Sequence, residues 1–283
     1  MTAPTGVRAL SLDDMPGCEA LCRSIGWPWE PAKWRLLLSS GAGFAVDAPD
    51  GSLAGTVVLN RFADAAASIG LLGVAPGWQR QGRGRALMER ALELAGGVPV
   101  FLYATEQGRR LYAKLGFRVA GGSFRFIGQR TQRPVLPAIG SRRLRRMGPE
   151  DLGGVAALDA IAFGAPRLAH LEALLALGSE GRVAEDGKRL VGYGLAWSVG
   201  PRRTVGPIVA PDAALAKALL ADLADAGSET LRIDIPTEFP ELAAWARELG
   251  LRPDSPAPLM VRNAERAPGR REWLCALAMP GLG

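Results

Sequence analysis

The segment from residue 73 to residue 87 places a glycine-rich turn between an apolar run and a helical pattern. The apolar run ends before Pro76, Gly82 and Gly84 follow, and apolar residues then recur at helical spacing from Ala86. Glycine has no Cβ, so consecutive backbone N–H groups can converge on one point, and a helix start adds partial positive charge. The segment therefore predicts a strand, an anion-binding turn and a helix, with a pyrophosphate as the natural ligand.

Two other phosphate-binding patterns are excluded at this turn. A dinucleotide fingerprint needs a third small residue where this chain has Leu87, and no Gly-Lys-Ser/Thr follows as in a nucleotide-triphosphate loop. A tight turn without a ligand remains the plain alternative. The spacing Gln79-x-x-Gly82-x-Gly84 after Val-x-Pro resembles the acyl-CoA pyrophosphate loop of the GNAT N-acetyltransferase superfamily. A second stretch of the chain resembles another sequence element of that family, Leu111-Tyr112-x-x-x-Gly116-Phe117.

A weak internal repeat at an offset of about 136 residues suggests two copies of one fold. The matches are Arg8–Leu21 with Arg145–Leu158, Asp50–Gly51 with Asp186–Gly187, Val74–Pro76 with Val209–Pro211, and Leu115–Phe117 with Leu249–Leu251. The second copy has no glycine turn after Pro211 and carries Asp212 where an anion would bind. This arrangement resembles a tandem GNAT subgroup with a degenerate C-terminal domain. We therefore expect an acetyl-CoA-binding domain over 1–139 and a degenerate domain over 140–283 that completes the substrate pocket or an interface, with a linker at 128–140.

Apolar periodicity and turn residues predict an α/β chain with a mixed sheet, built from two tandem GNAT-like acyl-CoA transferase domains. In the first copy we predict strand 6–10, helices 13–24 and 30–40, strands 43–48, 53–63 and 66–74, helix 82–95, strand 99–103, helix 106–115 and a closing strand 117–127. In the second copy we predict strand 142–147, helices 150–161 and 167–177, strands 181–186, 189–199 and 203–209, helix 212–225, strand 230–235, helix 239–249 and strands 250–253, 258–263 and 271–278.

Charge and composition exclude several classes of protein. The formal net charge is +6, and all of the excess lies in residues 1–139, where a positive field would attract an anionic coenzyme. Nucleic-acid binding has only this charge in its favour, because no basic-aromatic module accompanies it. The sequence shows no apolar run near 18 residues and no export signal, so we expect a cytoplasmic protein without a membrane span.

Cysteine and histidine usage points away from metal and disulfide chemistry. Cys18, Cys22 and Cys275 give no disulfide framework, and small buried thiols in a reducing compartment explain them. His170 is the only histidine, which argues against a histidine metal site or a Ser-His triad. We therefore expect no metal cofactor.

The family resemblance implies acetyl-CoA as cosubstrate and assigns its contacts. The residues that would bind it are Leu72, Gly73, Val74, Gln79, Arg80, Gln81, Gly82, Arg83, Gly84, Arg85 and Thr105. The family places the tyrosine corresponding to Tyr112 near the coenzyme sulfur, so we expect Tyr112 to protonate the leaving thiolate; a core aromatic is the alternative. Thr105 is expected first as a helix cap and second as a contact to the coenzyme.

The acceptor wall is less well defined by the sequence. Helices at the start of the chain flank this pocket in the family, so Trp27, Trp29 and Trp34 are candidates, with packing as the alternative for each. Asp159, Phe163, Arg167 and Asp234 are candidates if the pocket lies between the copies, and a capped helix and a surface ion pair explain them equally well. The general base is not identified: Glu106 and Asp64 are better explained as cap or turn residues, and a chain of water molecules could serve instead.

These expectations combine into one function and one alternative. The chain is expected to transfer an acetyl group from acetyl-CoA to a primary amine, a small molecule or a peptide, by direct attack in a ternary complex. The alternative is a non-catalytic acyl-CoA-binding or regulatory protein, which the missing base supports and Tyr112 opposes. The amine and the oligomeric state stay open, because fold resemblance does not fix a substrate.

Overall fold

The structure is a computed structural model that describes residues 6–132, 136–199, 201–224, 230–254 and 256–283. Within these residues, fourteen strands form one continuous mixed sheet with helices on both faces. The predicted α/β class is therefore confirmed.

The first half of the chain follows the predicted order of elements. Their bounds are β1 Val7–Leu10, α1 Met15–Ser24, α2 Pro31–Ser40, β2 Ala42–Asp47, β3 Leu53–Phe62, β4 Ala66–Val74, α3 Arg83–Ala95, β5 Val100–Tyr103, α4 Glu106–Lys114 and β6 Arg118–Gly128. Pro16 and Pro31 stand in the first turns of α1 and α2, where the missing N–H has no helical partner to lose.

The second half repeats this order. Its elements are β7 Arg143–Arg146, α5 Leu152–Phe163, α6 Leu168–Ala176, β8 Glu180–Asp186, β9 Arg189–Val199, β10 Arg202–Val209, α7 Ala213–Ala224, β11 Thr230–Pro236, α8 Pro240–Glu248, β12 Arg252–Pro253, β13 Ala257–Arg262 and β14 Leu274–Ala276. The predicted linker 128–140 includes residues 133–135, and predicted helix 212–225 includes residue 225; these residues lie outside the described part of the chain.

Equivalent ion pairs show that the sequence repeat is a structural one. Arg8 on β1 binds the carboxylates of Asp14 and Asp47, at 2.8 and 2.7 Å. Arg145 on β7 binds its counterpart Asp151 at 2.6 Å, and also Glu185 at the end of β8. In each copy, an arginine thus ties the first strand to the following turn and to the second strand.

The two copies exchange their closing strands. The order across the sheet is β1-β2-β3-β4-β5-β13-β6-β11-β10-β9-β8-β7. Leu259 on β13 lies opposite Tyr103 on β5, and Phe124 on β6 lies opposite Ile235 on β11. The prediction that 117–127 closes its own copy therefore differs from the structure, in which β6 extends the second half and β13 extends the first.

The exchange has a simple physical reason. Two copies of one fold present equivalent strand edges, so a closing strand can form the same main-chain hydrogen bonds with either copy. Alternating apolar residues identify a strand but do not say which edge it joins. As a consequence, the halves cannot separate without opening the sheet, and residues of the second half reach the edge of β5.

Different helices cover the two faces of the sheet. On one face, α3 packs over the first half around Leu87 and Met88, while α7 packs over the second half around Leu219. On the other face, which we call the α2 face, α2 contacts α6 and a core spans both halves. Along β5, Phe101 belongs to this core while Leu102 belongs to the α3 side, as strand alternation requires.

Residues 277–283 lie in the core on the α2 face. The N–H of Leu277 donates to the carbonyl of Asp234 on β11 at 2.9 Å. The hydroxyl of Ser68 on β4 donates to the carbonyl of Gly281 at 2.7 Å. This segment therefore runs from a strand of the second half to a strand of the first.

Among the described residues, no single helix has the length and apolar character needed to cross a membrane. The helical residues Pro149–Phe163 and Leu168–Ala176 meet the length and composition requirements only as a pair, and the chain bends by 120° between them. Phe163 and Leu171 of this pair are buried in the core described above.

Candidate active site

The glycine turn (residues 75–82) forms a cradle at the start of α3. The amide of Gln79 donates to the carbonyl of Val74 at 3.0 Å and holds the turn against the end of β4. Arg80 and Gly82 have φ angles of 58° and 81°, and a Cβ added at Gly82 would meet no atom within 4 Å. The first N–H groups of α3 have no partner within the helix, and Gly82, Gly84 and Arg85 at this helix start line an open cleft from which an anion can approach.

Positive side chains surround this cradle. Arg80 and Arg85 line the space in front of α3, and Arg110 and Lys114 line it from α4. Arg83 has another role: its guanidinium stacks 4.3 Å from the centroid of the Trp78 ring and donates to the carbonyl of Asp47. The excess charge found in the sequence is therefore placed, in part, where a polyanion would bind.

Beside the cradle, β4 and β5 form an open wedge, which we call the first wedge. These parallel strands are paired only at Ala67 with Val100 and at Ser68 with Phe101. Beyond that point β4 contains a bulge, where Leu71 has a φ of 52° and its carbonyl accepts a hydrogen bond from Thr56 at 3.0 Å. The bulge turns the end of β4 away from β5, which frees main-chain groups near residue 73 for a ligand.

Tyr112 projects from α4 into this region. Its side chain is largely buried, and its ring lies 6.1 Å from that of Phe117. Burial raises the pKa of the Tyr112 hydroxyl to about 12. The phenol therefore keeps its proton at neutral pH and can donate it to a nearby anion.

Thr105 caps the helix that carries Tyr112. Its hydroxyl accepts a hydrogen bond from the N–H of Gly108 at 3.3 Å, so the predicted capping role is confirmed. Thr105 also lines the cleft, which leaves the second role open to it.

Together these elements enclose a cleft of about 1350 Å³. The predicted residues that line it are Trp27, Leu72, Gly73, Val74, Gln79, Arg80, Gly82, Gly84, Arg85, Thr105 and Tyr112. The predicted residues outside its lining are Trp29, Gln81, Arg83, Asp159 and Arg167. The structure therefore gathers the end of α1, the bulged strand, the glycine turn and α4 around one cavity.

The residues outside the lining have structural partners. Trp29 packs against Trp34 with ring centroids 6.0 Å apart, and the amide of Gln81 donates to the carbonyl of Gly77. Trp34 itself is 2% exposed, so packing explains this pair.

Asp159 and Arg167 form a buried ion pair, and neither residue lines the cleft. Arg167 donates to both carboxylate oxygens of Asp159, at 2.7 and 2.8 Å, and to the carbonyls of Leu282 and Gly283 at 2.9 Å. The hydroxyl of Tyr193 donates to the same carboxylate. The pair is held inside the core and anchors residues 277–283. Asp234 is also buried, and its carboxylate accepts a hydrogen bond from Nε of Arg232 at 2.9 Å.

The corresponding wedge of the second half, between β10 and β11, is closed. These strands are paired at residues 202–204 with 230–232, and beyond that point β14 enters between them. Ala276 pairs with Ile208, and the next residue donates to β11 as described above. At the start of α7, Asp212 accepts a hydrogen bond from the N–H of Leu215 at 2.9 Å. The protein's own strand and its own carboxylate thus occupy the positions that are open in the first half.

Several lining residues were not identified from the sequence: Ser24, Ile25, Pro76, Gln107, Gly108, Arg110, Leu111 and Lys114. Arg110 and Lys114 are four positions apart, so they share one face of α4. That spacing, next to a motif helix, is a signal that could have identified them. Ile25 leaves no such signal, because it reaches the cleft only through packing: a Cβ at Gly73 would lie 2.8 Å from its Cδ1.

Comparison with known proteins agrees with this architecture. Models of the acetyltransferase (GNAT) domain match residues 40–119 and residues 155–276. The chain is 30% identical over 275 residues to the uncharacterized N-acetyltransferase YitH of Bacillus subtilis (strain 168), with 96% of each chain covered.

Two solved structures share the fold. A crystal structure from Pyrococcus horikoshii has a TM-score of 0.82 and 22% identity, covering 100% of this chain and 98% of that one. A tandem GNAT protein of the clavulanic acid biosynthesis pathway has a TM-score of 0.64 and 17% identity, with 90% and 97% covered.

The fold and the cleft define an acyltransferase of the GNAT class, a class that uses acetyl-CoA and acts on amines. The chain belongs to the GNAT acetyltransferase family, as a tandem member with two such domains.

Proposed function

We propose that this protein binds one acetyl-CoA in the first wedge and transfers its acetyl group to a primary amine by direct attack in a ternary complex. The difference between the two wedges carries the proposal. The first is open beside a helix start with free N–H groups, and the second is filled by β14. Residues 1–139 then provide the coenzyme site, and residues 140–283 complete the acceptor side.

The cleft offers a partner for each part of the coenzyme. The pyrophosphate would accept hydrogen bonds from the N–H groups at the start of α3, with Arg80 and Arg85 adding charge. The pantetheine arm would lie along the free main chain of residues 72–74, because β4 no longer pairs with β5 there. Arg83 would contribute through its stacking on Trp78, which supports the turn, rather than by direct contact.

Tyr112 provides the proton that the leaving group needs. The neutral amine attacks the thioester carbonyl, a C–N bond forms, and the C–S bond breaks with the electron pair on sulfur. The Tyr112 hydroxyl donates its proton to that thiolate, and water takes the excess proton of the amine. A phenol whose pKa is about 12 is protonated at every ordinary assay pH, which suits a general acid.

A coenzyme-release assay tests this proposal. Acetyl-CoA is incubated with a panel of small-molecule and peptide amines, and free thiol is measured together with the acetylated amine. We expect thiol release that depends on both the amine and the protein. Tight binding of acetyl-CoA without release for any amine would instead support the non-catalytic alternative.

A further inference from the structure

The cleft is lined from both faces of the sheet. On β2, Phe44 and Val46 belong to the core under α3 while Ala45 belongs to the core under α1, so the two helices cover opposite faces. Tyr112 lines the cleft from the α3 side, and Trp27, which follows α1, lines it from the other side. The first wedge is therefore in contact with residues of both faces.

Ile25 and Trp27 lie directly against the bulged strand β4. A Cβ added at Gly73 would lie 2.8 Å from Cδ1 of Ile25 and 3.6 Å from Cζ3 and Cη2 of Trp27. Both side chains also line the cleft. In the proposed function, the pantetheine arm starts from a pyrophosphate at α3 and runs along residues 72–74 toward the bulge. Its thioester end therefore comes next to these two side chains.

The end of α1 fixes the position of both side chains. The N–H of Ile25 donates to the carbonyl of Leu21 at 3.1 Å, and the N–H of Trp27 donates to the carbonyl of Cys22 at 2.9 Å. Gly26, between them, has a φ of 72°, the left-handed conformation that commonly ends a helix. Trp27 packs against the buried core under α1. Because its main chain is hydrogen-bonded and its ring is backed by close-packed atoms, this segment cannot move back without losing these contacts.

The surface that Ile25 and Trp27 present to the cleft is apolar. The hydroxyl of Ser24, which also lines the cleft, donates to the carbonyl of Leu21 at 2.8 Å. Among the described lining residues, the arginines and the lysine stand on the glycine turn, α3 and α4. The end of the cleft near the bulge therefore offers van der Waals contact to a short hydrocarbon chain.

We propose that Ile25 and Trp27 form a wall that limits the length of the transferred acyl chain, so that acetyl-CoA is preferred over donors with longer saturated chains. An apolar pocket distinguishes chains that differ by one methylene by roughly 10- to 200-fold. This inference rests on the proposed function, because it assigns the acyl end of the same site. Trp27, a candidate for the acceptor wall from the sequence, is thereby assigned to the acyl donor.

A series of acyl donors tests the inference. Acetyl-, propionyl-, butyryl- and hexanoyl-CoA are compared with one amine that the wild type acetylates. We expect kcat/KM to fall by roughly 10-fold or more from acetyl- to butyryl-CoA, and further for hexanoyl-CoA. In Trp27→Ala, the ratio of kcat/KM for butyryl-CoA to that for acetyl-CoA should rise roughly 10- to 100-fold, because loss of the indole opens space for the chain. Trp27→Phe should retain most of the wild-type preference.

A second variant and a matched control accompany this test. Ile25→Ala is a smaller truncation of the same wall, and it should raise the same ratio by less; it keeps the inference testable if Trp27→Ala does not fold. Trp29→Ala is the control, because Trp29 is two positions away, packs against Trp34 and lies outside the lining of the cleft. It should lower stability and leave the donor ratio unchanged.

Three results would overturn the inference. The first is equal use of all four donors by the wild type. The second is an unchanged donor ratio in both Trp27→Ala and Ile25→Ala. The third is a raised KM for the amine in these variants with an unchanged donor ratio, since that pattern assigns the wall to the acceptor.

A binding measurement separates failure of this inference from failure of the proposed function. If the wild type transfers no acyl group to any amine, the proposed function fails. Calorimetry then compares acetyl-CoA with hexanoyl-CoA on the wild type and on Trp27→Ala. Binding of hexanoyl-CoA that is weaker by roughly 10-fold or more in the wild type, with the difference removed in Trp27→Ala, supports the wall without turnover. Equal affinities in the wild type, or no binding of either donor, overturn it.

Discussion

The two wedges of this sheet start from the same plan and end in opposite states. Between β4 and β5 the strands part after two residue pairs and leave a cleft. Between β10 and β11 they part after three, and β14 fills the gap with main-chain hydrogen bonds. Gly206 shows how tight this filling is, because a Cβ there would lie 2.0 Å from the carbonyl oxygen of Leu277.

This difference shows what a wedge in such a sheet requires. Diverging parallel strands expose unpaired N–H and C=O groups, and buried main-chain groups need partners. In the second half the protein supplies them itself. In the first half, the proposed function makes the coenzyme the partner of these groups. The second copy has therefore lost a ligand site, and its own strand β14 takes that place.

The largest expected effect is the loss of kcat when Tyr112 of the first half is replaced, compared with replacement of Tyr193 of the second half. Tyr112→Phe should lower kcat by roughly 10²- to 10⁴-fold, the usual range for a general acid. The KM for acetyl-CoA should change little, because the ring still packs. Tyr193→Phe is the matched control: it removes a buried hydroxyl that donates to Asp159, so it should reduce stability and leave kcat unchanged. Steady-state kinetics and thermal unfolding measure both.

The pH profile adds a second test of Tyr112. Deprotonation of a general acid removes activity as pH rises through its pKa, and burial has moved that pKa to about 12. The wild type should therefore show no loss due to this group up to about pH 10, which is the ordinary pKa of a tyrosine. A decline near that pH that is absent in Tyr112→Phe would contradict the burial of the hydroxyl.

Next in size is the buried ion pair of the second half. Arg167→Met leaves the buried Asp159 without its charged partner, with only the Tyr193 hydroxyl still bonded to it, and releases the carbonyls of Leu282 and Gly283. We expect the free energy of unfolding to fall by about 3–5 kcal/mol. In the control Arg23→Met, loss of the exposed pair with Glu19 should change it by less than about 0.5 kcal/mol. Denaturant titration measures both, and equal losses would refute an anchoring role.

The third effect concerns the cradle. Gly82→Asp should weaken acetyl-CoA binding roughly 100-fold or more, since it places a carboxylate where phosphate would approach the helix start. Aspartate tolerates a positive φ better than most residues, and a Cβ here meets nothing, so the fold should survive. Ala214→Asp at the start of α7 is the matched control in the second half. Unchanged calorimetric affinity in Gly82→Asp would make the turn purely structural.

Much of this architecture follows from local sequence. Period and turn residues locate almost every element, and the largest shift in a boundary is that of predicted strand 271–278, observed as Leu274–Ala276. The repeat is visible because Arg8 with Asp14 and Arg145 with Asp151 stand at equivalent positions of the two copies. The cradle is equally visible, since its glycines and arginines lie together in residues 80–85.

What the sequence could not show are the pairings between distant segments. The strand exchange depends on which of two equivalent edges β6 and β13 join. Alternation of apolar and polar side chains carries no information about that edge. Burial of Asp159 and Arg167 depends on residues 277–283, more than a hundred positions away. The location of Arg271 beside Tyr103 is likewise a product of tertiary structure.

The smallest effect separates the two features that distinguish the closed wedge. Asp212→Ala removes the carboxylate at the start of α7, which caps Leu215 and pairs with Arg142 at 2.5 Å. Loss of a helix cap should lower the free energy of unfolding by about 1 kcal/mol. Native mass spectrometry should still find one coenzyme per chain, because β14 continues to occupy the space that the pantetheine arm needs. A second bound equivalent in this variant would mean that charge alone, and not the inserted strand, keeps the second wedge empty.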